Sequence, residues 1–424
     1  MKKPISAVAC ILLTALLVSC KGQEKKTDEF KPSLDPNTAC SITIVGDYKN
    51  FEALEAEFDR FNAYYPKVEL AYEYIDQYSD IENLEHVLER ENKPNIFFSY
   101  TSWTAGNEKY NTILSHMDDL SNSALKINLD CIRPGLINHD ANGKVLMVPI
   151  FSRTYGMLIN DNLFKEEGVN IPKTWDELSS ACESFVGKGY ESPMMGYSLK
   201  SSSSLMNTIA YPSFVATLAN NKEALALANN LDPKAGPYMR ESLEKVQALI
   251  TGDAIDLEEC DKIEDSYAKV VVRFFQGDVP MMICEKDTVS RTKKEEQAKP
   301  FDYSFHPIPL TDKGGYFIDS PSIEFSINKE CENLDMTREF MRFLVNKEEL
   351  NNMASIKRLV TPAKEMTFDP VYAPFGEVPE SLTFSPEAIG IKDPLVKQIR
   401  IASFKVGRGE LTIDEAIDLY GKLE

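Results

Sequence analysis

Residues 41–100 read SITIVGDYKNFEALEAEFDRFNAYYPKVELAYEYIDQYSDIENLEHVLERENKPNIFFSY. Ser41 to Val45 has the length and apolar character of a buried strand. Phe51, Leu54, Phe58 and Phe61 then recur at helical spacing, and Pro66 closes that helix. Val68, Leu70, Tyr72 and Tyr74 alternate, which predicts a second strand. Ile81, Leu84, Val87 and Leu88 predict another helix, and Asn95 to Tyr100 a third strand. Strands that alternate with helices pair in parallel and take helices on their faces, so the fold class is α/β.

Toward the N terminus, Lys2 and Lys3 precede an apolar run from Ile5 to Val18. That run is too short to span a bilayer comfortably but fits an export signal. It ends Leu17-Val18-Ser19-Cys20, which resembles the lipobox of bacterial lipoproteins. The expectation is a signal peptide over 1–19, lipid on Cys20, and an extracytoplasmic chain anchored to the bacterial cell membrane. Two acyl chains give stable anchoring where one does not. Residues 20–39 are expected to form a flexible tether with no structure of its own.

The whole chain has 424 residues, which suggests two or three domains. Hydrophobic residues at 43% and charged residues at 26% exclude a disordered chain, a collagen and a polytopic membrane protein. A net charge of −20 argues against binding nucleic acid through its phosphates. Beyond Cys20 stand Cys40, Cys131, Cys182, Cys260, Cys284 and Cys331, none at C-x-x-C spacing. That disfavours a zinc ribbon and leaves disulfide pairing open. No H-E-x-x-H, G-x-S-x-G or Walker motif is present. Asn138 to Gly143 imitates the start of a calcium loop, but Pro149 stands where its closing glutamate belongs, so a turn is expected. No metal, cofactor or catalytic residue is expected. Thr174-Trp-Asp-Glu177 and Thr412-Ile-Asp-Glu415 are capping boxes that predict helix starts.

Further along, Asp140-Ala-Asn-Gly-Lys-Val-Leu-Met-Val-Pro149 leads into Tyr155-Gly-Met-Leu-Ile-Asn-Asp-Asn-Leu-Phe164 and then Lys165 to Leu178. This run resembles the extracellular solute-binding proteins of ABC importers, in the carbohydrate-type family that includes maltodextrin-binding protein. Phe275 to Ile283, Arg338 to Leu344, Thr361-Pro-Ala363 and Gly407 to Ala416 agree with the family and fall in its order. The resemblance implies a two-lobe α/β fold like that of periplasmic binding proteins, each lobe a mostly parallel sheet flanked by helices, joined by a hinge. It places the first lobe at 40–149 plus 305–355 and the second at 150–304 plus 356–424.

In such folds ligands meet loops at the carboxyl ends of strands. Asp47 and Tyr48 follow the first strand; Gly46-Asp47 matches a glycine–aspartate pair of maltodextrin-binding protein whose acid accepts from sugar hydroxyls, so the resemblance implies that role for Asp47. Tyr100 and Trp103 follow the third, and an indole face can stack on a sugar ring. Phe151, Arg153 and Tyr155 leave the first hinge segment; a guanidinium suits carboxylate, phosphate or paired hydroxyls. Glu285 and Asp287 stand where many relatives carry Gly-x-Trp, a departure that disfavours long glycans. Tyr197, Asn207, Tyr211, Asp319, Ser320 and Arg358 complete the expected ligand contacts. The implied function is capture of a small carbohydrate by hinge closure and delivery to ABC permease subunits. The implied partners are that ligand, the permease and the membrane through the N-terminal lipid, with no nucleic acid; the protein is expected to be a monomer. The open alternatives are a ligand-sensing receptor subunit and an anchored glycan-degrading enzyme.

Overall fold

The structure is a computed structural model that describes residues 30–104, 108–198, 203–263, 267–286 and 299–424. Among the described residues ten strands form in chain order: β1 (Cys40–Gly46), β2 (Val68–Tyr74), β3 (Ile96–Ser99), β4 (Val148–Asn160) and β5 (Met194–Met195), then β6 (Met281–Lys286), β7 (Tyr303–His306), β8 (Phe317–Ile318), β9 (Ser320–Ile327) and β10 (Thr383–Phe384). Eight make one sheet in the order β2-β1-β3-β9-β4-β6-β5, with β7 also on β4; β8 and β10 form a small second sheet. β1 pairs in parallel with β2 and β3, as the alternation with helices 52–62 and 81–89 requires. β9 returns antiparallel between β3 and β4. β4 is antiparallel to β6, β7 and β9, so the sheet is more mixed than the expected mostly parallel one.

β4 divides the molecule into two halves. Its first residues, Val148–Arg153, pair with β9, and its last, Thr154–Asn160, pair with β6 and β7. The first half holds β1, β2, β3 and β9. Its core is aromatic: Phe51, Phe61, Phe97 and Phe98 are fully buried, and Phe98 stacks on Phe325 at 5.4 Å. Helix 52–62 lies on helix 347–357 through an Arg60–Glu349 ion pair of 2.7 Å and an Asn352–Glu57 hydrogen bond. The second half has its own core, which joins Leu158 and Ile283 to helix 204–219, helix 240–251 and helix 393–407.

Among the described residues the chain passes between the halves three times. It first passes within β4, at Arg153 and Thr154. The second passage is at Asp319. β7 pairs with the far part of β4, and Phe305, Ile308, Leu310, Phe317 and Ile318 share the second half's core. Residues 305–318 therefore pack with the second half. The third passage runs from helix 347–357 through Val360, whose carbonyl accepts from Ser152 N at 2.9 Å.

The N-terminal segment differs from a plain tether at its end. Glu339 accepts from Ser33 N at 2.8 Å and from Ser33 Oγ at 2.6 Å, and Tyr65 Oη accepts from Leu34 N at 3.2 Å. Arg342 also donates to Glu339, and these bonds outweigh burial, holding its carboxyl below the usual range. No disulfide links the six cysteines among the described residues to one another. Thr412 and Glu415 form the complete capping box, whereas Glu177 reaches past Thr174 to Lys173 N at 2.7 Å. Asn138 to Gly143 is a turn, with Asp140 Oδ1 accepting from Asn142 N and Lys144 N at 2.8 Å each. No helix among the described residues is long and apolar enough to cross a membrane.

Candidate functional site

The ends of β1 and β3 bring four of the expected residues together. Gly46 has to be glycine, because a Cβ there would stand 2.5 Å from the Phe98 ring. The chain turns directly after it, leaving Asp47 exposed. Tyr100 Oη donates to Asp47 Oδ2 at 3.2 Å. Burial, then the nearby Asp47 charge, push the Tyr100 phenol well above its ordinary value, so it stays a donor. Tyr48 stacks on Phe51 at 5.4 Å, and its amide donates to Tyr72 Oη. Trp103 packs edge-on against Tyr100 at 5.3 Å and stacks on Tyr110 at 5.7 Å. Only 6% of it is exposed, so its indole is largely committed to these two rings.

Glu324, on β9, fixes the loop that carries Tyr100 and Trp103. Its carboxyl accepts from Thr101 N at 2.5 Å and from Thr101 Oγ1 at 2.7 Å and 2.8 Å. Asn138 Nδ2 donates to the same hydroxyl at 3.0 Å. Glu324 is 2% exposed, and burial pushes its carboxyl up to about 8 against the opposing pull of Thr101 and Arg153. The sequence reading missed this acid. The signal was an acidic residue inside the apolar alternation Ile323, Phe325, Ile327.

At the passage between halves, Arg153 stands opposite Ser320 in the β4–β9 register. It is half-buried and makes no hydrogen bond or ion pair among the described residues, yet it acts electrostatically on Glu324, Glu387 and Tyr211. Glu387 comes from the short helix 386–389. Burial pushes its carboxyl up, and its Oε2 is buried without a hydrogen-bond partner among the described residues. Tyr155 meets Tyr211 edge-to-face at 5.6 Å. Desolvation drives the Tyr211 phenol far upward. These groups supply donors, acceptors and flat faces at one place.

Other expected residues lie elsewhere or are already occupied. Phe151 is wholly buried with its ring 5.9 Å from Phe51, because β4 bulges between Pro149 and Ser152 and turns it into the core. Both Asp319 oxygens are taken by Arg133, at 2.6 Å and 2.9 Å. Arg358 caps helix 347–357 in the left-handed region and pairs with Asp369 at 3.3 Å and Tyr303 Oη at 3.4 Å. Tyr197 and Asn207 are buried at the start of helix 204–219 and its approach. Glu285 lies on β6 with its backbone paired to Tyr155. Asp287 and Cys20 lie outside the described residues.

The family model described as "Bacterial extracellular solute-binding protein" matches residues 56–376. The chain belongs to that family. No curated protein matches this solute-binding protein by sequence. Among solved structures it is similar to apo RafE from Streptococcus pneumoniae, with TM-score 0.70 and 17% identity over 92% of this chain and 98% of that one. It is similar also to a Bacillus licheniformis sugar transporter in complex with stachyose, with TM-score 0.59 and 16% identity over 91% and 100%. An open-conformation binding protein, MsmE from Bacillus subtilis, gives TM-score 0.65 and 15% identity over 91% and 96%. These likenesses carry the two-lobe fold, and the family places the protein outside the cytoplasm.

Proposed function

We propose that this solute-binding protein captures a mono- or short oligosaccharide between its halves, closes on it by hinge bending, and delivers it to the permease of an ABC importer. In this reading lipid on Cys20 holds the chain at the membrane, and no chemistry is performed on the sugar. The observation that carries it is the grouping of Arg153, Glu387 and the Tyr155–Tyr211 pair where the halves join. A sugar hydroxyl accepts from a guanidinium and donates to a carboxylate, while the C–H face of the ring lies on an aromatic. The relatives crystallised with raffinose and stachyose add support.

A thermal-shift screen of sugars, amino sugars, short oligosaccharides and polyamines tests it. A ligand at a hundred times its dissociation constant stabilises by about 2.7 kcal/mol, or several degrees in a chain of this size. A short saccharide is expected to give that shift and to shrink the radius of gyration in small-angle scattering. A shift from polyamines alone, or saccharide binding at constant radius, would refute the reading.

A further inference from the structure

Arg133 lies on no strand and in no part of the ligand grouping, yet it is among the most fully bonded side chains in the molecule. A guanidinium has five N–H donors in a rigid plane. Nε donates to Asp319 Oδ2 at 2.6 Å and Nη2 to Asp319 Oδ1 at 2.9 Å. Nη2 also donates to Ser152 Oγ at 2.9 Å. Nη1 donates to the carbonyls of Thr361 at 2.6 Å and Ala363 at 2.9 Å. Every donor is used. The acceptors fall on all three passages of the chain between the halves: Ser152 within β4, Asp319 between β8 and β9, and Thr361–Ala363 after helix 347–357.

We propose that Arg133 is the hinge pin of this protein, a positioning residue whose single plane of donors locks the three passages together and so limits which inter-half angles the molecule visits. The proposal rests on the hinge-bending reading but not on the identity of the ligand. The surroundings give the pin a fixed seat. Arg133 N donates to Pro362 O at 3.0 Å, and Lys364 N to Cys131 O at 2.7 Å. The Arg133 and Asp319 side chains are only 13% and 5% exposed, so water does not replace these bonds without the site opening. The Phe317 ring lies 5.9 Å from the guanidinium carbon and closes one face. Because the acceptors sit on three different passages, turning one half against the other moves them relative to one plane. A lysine, with a point charge and flexible stem, would keep the attraction to Asp319 and lose that planar coupling.

The experiment needs no ligand, so failure to find a sugar leaves it unaffected. Spin labels are coupled to a keto amino acid at Lys67 and Lys234, exposed positions in the first and second halves, which spares the native cysteines. Pulsed electron–electron resonance then gives the inter-half distance distribution of the unliganded protein and of Arg133→Lys and Ser152→Ala. Losing charge-assisted bonds of this kind is expected to raise the population of minority distances about tenfold in Arg133→Lys. Ser152→Ala, which removes one of the five bonds and leaves the ion pair, is expected to broaden the distribution less and to fold normally. An Arg133→Lys distribution that superimposes on the parent's overturns the proposal, whether or not the melting temperature falls. A normal distribution in Ser152→Ala with an unfolded Arg133→Lys overturns it as well, since Arg133 would then be only a stabilising residue.

Discussion

In the first half, polar ties position the loops that reach the site. Glu324 fastens Thr101, Tyr100 holds Asp47, and Asn138 bonds the same Thr101 hydroxyl. In the second half, packing does that work. Helix 204–219 is buried at nearly every residue, Pro212 included, and Tyr211 reaches Tyr155 because Phe214, Leu205 and Ile209 fix the helix beneath it. One wall is therefore sensitive to charge and pH, the other to volume.

The sharpest way to break this contrast is Phe214→Ala. The ring is fully buried, and truncating such a ring costs about 3–5 kcal/mol through lost transfer energy and the cavity left behind. Urea unfolding should show that loss with pH-independent size. A cost under about 1 kcal/mol would mean that the second half collapses around the gap and is not packing-limited.

Glu324→Gln tests the other wall. Its folded value of about 8 lies above the ordinary glutamate value of 4.5, so the folded protein holds a proton that the unfolded chain releases. The parent should therefore lose stability as pH rises from 4.5 toward about 8. A neutral glutamine removes that loss, by an amount on the order of 2 kcal/mol after solvent relaxation is allowed for. The melting temperature of the variant should pass the parent's as pH rises through this window. Parallel pH profiles would show that Glu324 is ionised and comfortable in place.

The smallest effects should come from single contacts of the ligand. Asp47→Ala and Arg153→Ala are each expected to weaken saccharide binding at least about tenfold, the worth of one charge-assisted hydrogen bond. Calorimetric titration measures this, and the unliganded melting temperature should hardly move. Unchanged affinity in both would remove these side chains from the site.

The alternation of β1, β2 and β3 with two helices was legible because period-two and helical spacing survive in the sequence without tertiary information. The strand-end loops were legible for the same reason, and Asp47, Tyr100 and Trp103 do cluster there. What escaped depends on partners far away along the chain. Trp103 reads as an open platform until Tyr110 covers it. Asp319 reads as a free acid until Arg133, distant in sequence, takes both of its oxygens. Phe151 changes sides through a bulge, and a shift of one residue in a strand reverses which face a side chain occupies. The four-residue strand β7 gives no sign in the sequence of which strand it joins; its pairing with β4 settles that.

The clip at Ser33 bears on how the molecule carries load. In the proposed anchoring, tension along the N-terminal segment would reach Glu339 and Arg342 through Ser33 and pass into helix 334–344 of the first half. The strands that join the halves lie outside that route. In the proposed reading, lipid on Cys20 would moor the protein by its first half, and the other half would swing without dragging on the line.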